Sequence, residues 1–171
     1  MDKVVIENIN LNWFQKKRIK RKIYKNLKNH PLCEGNIKST YHIDVHLHNS
    51  SEFKCLKNKI VETSFKVFKR DFFVTAMWAN VGSHGSKVVK HNHIIDEISG
   101  YPCDEYFKIF GVSGVFYLNK PELSGNIIFD DHVLEVEEGD LLFFSPYMNH
   151  STEINKSKND RVVVSFNGFF T

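Results

Sequence analysis

The sequence predicts a mainly β domain, a jelly roll with two helices packed on one of its sheets. Three observations carry this expectation. The first seventy residues hold two segments with helical apolar spacing. From Asp71 onward, short β-branched and aromatic runs alternate with Gly, Asn, Asp and Pro turns. Eight such runs fit into about a hundred residues, the density of a sandwich or barrel.

The first helix is expected over residues 12–28, where Leu11, Ile19, Ile23 and Leu27 mark an apolar stripe opposite a cluster of charges. The second is expected over residues 51–68, capped by Ser50 or Ser51, with Phe53, Leu56, Ile60, Val61, Phe65 and Phe68 as its apolar face. Between them lies an alternating segment, Tyr41 to His48. The expected strands are 71–80, 86–93, 111–119, 125–131, 132–138, 140–146, 148–154 and 161–169. At 171 residues the chain reads as one domain, with 1–70 as helical support and 71–171 as the β core.

Composition narrows the class. Apolar content is 42% and charged content 25%, ordinary values for a globular chain. No apolar run is long enough for a membrane helix, and the N-terminus lacks a secretory pattern. Cys33, Cys55 and Cys103 are odd in number and contain no C-x-x-C, so neither a disulfide framework nor a zinc finger is expected. A reducing, cytoplasmic setting follows as the expectation. Net charge is +3, yet eight Lys or Arg fall between Lys16 and Lys28. That block reads as the solvated face of a helix or as a surface for an acidic partner or nucleic acid.

The chemistry centres on His91-Asn92-His93. On a strand, residues 91 and 93 share a face, so two imidazoles can grip one metal ion. A third ligand from a distant strand completes a facial set with open positions, as an oxygen-activating Fe(II) centre needs. His150, just past the apolar strand DLLFFSP, is the best candidate. Arg161 opens the strand RVVVSFN, where alternation places Arg161, Val163, Ser165 and Asn167 on one face. An inward arginine there needs an anion, and a dicarboxylic cosubstrate supplies one. Tyr117 and Ser165 are assigned to that cosubstrate, and Asn80 to cosubstrate or substrate. Trp78 and Asn167 are assigned to substrate.

The ordered set MWANVG, KHNH, SGVFYLNKPELSGNIIFDD, EEGDLLFFSPYMNHS and DRVVVSFN resembles the 2-oxoglutarate- and Fe(II)-dependent oxygenases, in particular the small prolyl-hydroxylase-like group of bacteria and phages. The resemblance covers residues 71–169. It implies a double-stranded β-helix of cupin-like type, with Fe(II) and 2-oxoglutarate as cofactors and dioxygen as co-reactant. It also implies hydroxylation of an unknown substrate, a peptidyl residue such as proline or a small molecule. His91 matches the first histidine of the family's H-x-D pair and His150 the distal one. Arg161 matches the residue that holds the far carboxylate, assisted by Tyr117.

The sequence departs from the family at His93, where an aspartate is usual. His93 is the preferred third ligand, with Asp96 as its substitute if the strand bends. The segment from Ile94 to Phe110 is expected to cover the site mouth as a loop. A literal H-x-D, at His42-Ile43-Asp44 followed by His46 and His48, forms a rival metal site. Two further function classes stand beside the oxygenase: a three-histidine cupin enzyme that needs no 2-oxoglutarate, and a non-catalytic jelly-roll binding module. The sequence does not speak to oligomeric state.

Overall fold

The structure, a computed structural model, describes residues 3–94 and 111–171. Among the described residues, nine strands run β1 (Val5–Asn8), β2 (Ile37–Ser39), β3 (Phe72–Gly82), β4 (Gly111–Asn119), β5 (Ile127–Phe129), β6 (His132–Leu134), β7 (Asp140–Phe144), β8 (His150–Thr152) and β9 (Arg161–Phe170). The two helices are α1 (Trp13–Leu27) and α2 (Lys54–Phe68). All ladders are antiparallel. A six-stranded sheet has the order β1-β7-β4-β9-β3-β2, and a three-stranded sheet the order β6-β5-β8.

The large sheet buries both faces, so two cores form. Its helical side carries Phe72, Met77, Ala79, Val112, Phe116, Leu141, Phe143, Val162, Val164 and Phe166 against Ile19, Ile23, Leu27, Leu56 and Ile60. Its other side carries Val115, Tyr117, Leu142, Phe144 and Val163 against Ile127 and Phe129 of the small sheet. The strict two-residue alternation of β9 and β7 across these two cores is what a sheet buried on both faces requires.

Local chemistry fixes the helices. At the start of α1, the Asn12 side chain accepts from the Gln15 N–H while Gln15 accepts from the Asn12 N–H, a reciprocal capping box. Helix α2 starts later than the sequence suggested. Its N-cap is Phe53 and no side chain caps it, so Ser50 and Ser51 do not play that part. Phe53 is itself fully buried and packs into the helical-side core. Among the described residues, no helix is long and apolar enough to cross a membrane.

Two further expectations are corrected. Residues 86–93 do not form a strand; among the described residues their one ladder contact is a single bridge, His91 to His150. The alternating Tyr41–His48 segment forms no pleated strand; it is turn, one bridge from His46 to Met77, and a 3-10 turn over Leu47–Asn49. Its alternation comes from that mixture, not from a pleat.

One irregularity decides which side chains of β3 reach the far face of the sheet. The β3–β9 register slips between Val74 and Ala76. Phe72 and Val74 face the helical core, and so do Met77, Ala79 and Val81 beyond the slip. The extra residue, Thr75, therefore rotates the rest of β3 by one position. It sends Trp78 and Asn80 to the face opposite the helices.

Close packing also sets a testable constraint at Gly114, between β7 and β9. A Cβ there would overlap Phe166 Cζ and would lie 2.5 Å from Leu142 O. Gly114→Ala should destabilise the protein by about 1–3 kcal/mol. Thermal unfolding should show this as a melting point roughly 2–12 °C lower.

Candidate metal centre

Three histidines meet beside the small sheet, and backbone bonding brings them there. His91 N–H donates to His150 O at 3.0 Å, and His150 N–H donates to His91 O at 2.8 Å. Two residues on, His93 N–H donates to Pro146 O at 3.0 Å. Upstream, Thr152 N–H donates to Val88 O and Val88 N–H to Thr152 Oγ1. The 86–93 segment thus runs antiparallel along the free edge of β8, with a spacing too irregular to be a strand. The ring centroids lie 4.3 Å (91–150), 5.0 Å (93–150) and 5.5 Å (91–93) apart. One ligand atom from each ring lies within 4.8 Å of the other two, and among the described residues no other His, Cys, Asp or Glu joins a group of this kind.

Each ring is oriented through Nδ1. His91 Nδ1 lies 2.9 Å from Val89 O, and His150 Nδ1 lies 3.1 Å from Met148 O. His93 Nδ1 lies 2.7 Å from Asn167 Oδ1 and 2.8 Å from Ser113 Oγ, and the Ser113 hydroxyl donates to the same Asn167 oxygen at 2.9 Å. Carbonyl oxygens only accept, so each Nδ1 carries a proton, and in the neutral ring the lone pair is then on Nε2. The donor set is thereby prepared for a cation. Burial keeps it so. His93 is pushed down to about 4 by desolvation and by the neighbouring His91, against the Asn167 hydrogen bond. His150 lies well below its usual value, for the same leading reason. Neutral imidazole is the form that binds metal.

A pocket that opens to solvent lies beside the rings. His91 and His150 line it, with Arg161, Tyr117, Asn80 and Ser165. Arg161 is 2% exposed. Its Nη1 donates to Ser124 O and Glu153 O, and its Nη2 donates to Thr152 Oγ1 at 2.7 Å. Among the described residues no carboxylate pairs with it. Its acceptors are neutral and Glu153 acts on it only electrostatically, without a direct ion pair, so an anion in the pocket would further stabilise the buried charge.

The remaining sequence candidates are distributed around this pocket or away from it. Tyr117 is fully buried on the same wall, and burial raises its phenol above the ordinary range. Asn80 Nδ2 donates to Ser165 Oγ at 3.4 Å. The Trp78 ring stands 5.5 Å from His93 and 5.1 Å from Tyr41. Asn167, expected at a substrate, turns its Oδ1 to His93 Nδ1 and to the Ser113 hydroxyl. Asp96 and the mouth loop fall outside the described residues, apart from Ile94. The rival group does not assemble: Asp44 Oδ1 accepts from the His46 N–H, and His42, Asp44, His46 and His48 form no common metal-sized cluster. Ser113 and Thr152 were missed. Alternation could have found both, since Ser113 shares a face with Tyr117 and Thr152 lies two residues past His150.

No protein-family model matches the chain, and no curated relative does. Solved structures do match. HygX from Streptomyces hygroscopicus, with nickel, 2-oxoglutarate and hygromycin B bound, aligns at TM-score 0.68 and 11% identity over 97% of this chain and 82% of its own. SnoN, an alpha ketoglutarate dependent epimerase from nogalamycin biosynthesis, aligns at 0.74 and 11% over 98% and 78%. The viral collagen prolyl hydroxylase of Paramecium Bursaria Chlorella virus-1, solved as a 2OG complex, aligns at 0.66 and 13% over 97% and 96%. The chain has the fold of these enzymes. Identity this low speaks for the fold alone.

Two outcomes test the centre. The metal-free protein should lose stability as pH falls from about 6.5 toward about 4, because the unfolded chain protonates His93 first. Over that window His93 alone accounts for on the order of 3 kcal/mol, measurable by denaturant unfolding at stepped pH. Asn167→Ala should weaken metal binding about 10–100-fold by calorimetric titration, since it frees the His93 ring to turn.

Proposed function

We propose that the protein is an Fe(II)- and 2-oxoglutarate-dependent oxygenase of the prolyl-hydroxylase-like type. The two sheets are read as its double-stranded β-helix, with the helices on the outer face. One observation carries the reading: two of three clustered imidazoles line the same pocket as a buried arginine whose hydrogen bonds, among the described residues, all go to neutral acceptors. A divalent metal fits the first, and a dicarboxylate fits both. The solved structures of like fold that hold nickel or iron with 2-oxoglutarate add support.

In this reading His91, His93 and His150 hold the metal through Nε2. Arg161 receives the far carboxylate of 2-oxoglutarate. Tyr117 closes that end of the pocket, and Asn80 and Ser165 form its polar flank. Val115, Ile127 and Val163 line the middle and exclude water from it. Trp78 and Tyr41 form an aromatic wall against His93, suited to position a substrate. Asn167 and Ser113 are positioning residues for His93. Bound there, the metal and cosubstrate supply the oxidising chemistry, consuming dioxygen and 2-oxoglutarate, releasing succinate and carbon dioxide, and hydroxylating a substrate C–H. A three-histidine enzyme without 2-oxoglutarate has no dicarboxylic cosubstrate for Arg161 to receive.

The test is ligand-induced stabilisation. Manganese as an iron substitute should raise the melting point, and 2-oxoglutarate at 100-fold over its Kd should add about 2.7 kcal/mol. Arg161→Lys should keep the metal shift and lose most of the 2-oxoglutarate shift, because lysine cannot form the forked pair. A wild-type protein that takes metal but shows no response to 2-oxoglutarate sinks the assignment.

A further inference from the structure

The charge of the chain is divided unevenly. Residues 12–70 hold fifteen Lys or Arg and four Asp or Glu, whereas the remaining residues hold eight and sixteen. The small net charge therefore conceals a basic helical side and an acidic β side. Helix α1 sharpens this into a stripe. Phe14, Lys17, Arg18, Arg21, Lys25 and Lys28 recur at three- and four-residue steps and are all exposed. They lie opposite the buried Ile19, Ile23 and Leu27. At 1.5 Å per residue the stripe is about 21 Å long.

Folding does not neutralise it. Lys16, on the flank, pairs with Glu138 at 2.6 Å. Among the described residues no acidic group pairs with the stripe itself; Arg18 reaches only the Ser51 hydroxyl, at 3.2 Å. At the start of the stripe two large rings stand in solvent, Trp13 at 63% exposure and Phe14 at 76%. They meet edge to face at 4.9 Å, and Lys17 Nζ sits 4.5 Å from the Trp13 centroid. The helix cap uses Asn12 and Gln15, so neither ring is needed for it.

We propose that the outer face of α1 is a docking surface for single-stranded nucleic acid. Phosphates would follow Lys17, Arg21, Lys25 and Lys28, and a base would stack on Trp13 and Phe14. A row of cations with flat rings at one end fits a strand that carries both charge and bases. An acidic protein uses the cations and leaves the rings idle. A bilayer needs an apolar face to enter it, and that face of α1 is buried against the sheet. The metal centre lies on the opposite side of the large sheet, so this surface anchors the protein rather than presenting a reacting group. Docking here does not depend on the oxygenase reading.

The experiment is fluorescence anisotropy of a labelled oligo(dT) of about twelve nucleotides, within the usual site size of a stacking platform, with the full chain. Binding should weaken roughly 50-fold between 50 and 200 mM KCl if about four phosphates are neutralised. Trp13→Ala with Phe14→Ala should weaken it at least about fivefold. Lys17→Gln, Arg21→Gln and Lys25→Gln together should weaken it at least about tenfold at low salt. Both variants should keep the wild-type melting point and its response to manganese, which separates lost docking from lost fold and from any failure of the metal centre. The proposal is overturned if oligo(dT) does not bind at about 50 mM KCl, where the electrostatic attraction is strong, or if either variant binds as the wild type does. It is equally overturned if polyglutamate competes as well as the oligonucleotide, or if only vesicles of anionic phospholipid bind.

Discussion

The site depends on one reciprocal pair of backbone hydrogen bonds, between His91 and His150. His91 and His93 belong to a segment that has no strand of its own, so no pleat fixes the direction of its backbone. Pairing with His150 supplies the missing frame. It sets two imidazoles side by side and carries the chain on to Pro146, where the His93 N–H finds its acceptor. The backbone then makes the same demand on each ring. Val89 and Met148 offer carbonyl oxygens two residues before their histidines, and these hold the Nδ1 protons of His91 and His150. Geometry of the chain and tautomer of the ligand are thus fixed together.

His93 is oriented differently. Its partner comes from the large sheet, through Asn167 on β9 and Ser113 on β4, which are registered opposite each other. The third ligand therefore ties the small-sheet edge to the central strands. The groups that hold the three Nδ1 atoms are all neutral: backbone carbonyls, an amide and a hydroxyl. A carboxylate at position 93 would have added negative charge; an imidazole does not. A divalent ion held here keeps its full charge, and Arg161 adds another along the same pocket. That field suits an anionic ligand spanning both, and it makes charge complementarity a stronger requirement than in a site with its own carboxylate.

The central sheet separates two environments. One face meets helices that are basic on their outer side; the other meets the small sheet and the metal centre within the acidic part of the chain. The bulge at Thr75 belongs to this arrangement. It lets one long strand serve the helical core throughout while turning Asn80 toward the pocket and Trp78 toward His93. Burial of both faces leaves little tolerance, as the Phe166 ring lying against Gly114 illustrates.

Much of this was written in local pattern. Alternation along Arg161 to Asn167 and along Ser113 to Tyr117 is set by the two-residue repeat of a strand. The helical stripe of Ile19, Ile23 and Leu27 is set by the repeat of a helix. The sequence by itself therefore determined the mainly β class, the strands from β3 onward and which faces of β9 and α1 turn inward. It also singled out His91, His93, His150 and Arg161 as the residues to bring together. Only tertiary structure decided that 86–93 lies on the edge of β8 without being a strand, because that pairing joins residues far apart in the chain. It alone decided that Asn167 serves His93, that Thr152 holds Arg161, and that His42, Asp44, His46 and His48 form no common metal-sized cluster. Each of these depends on contacts across sheets or around a turn, where spacing along the chain carries no information about distance.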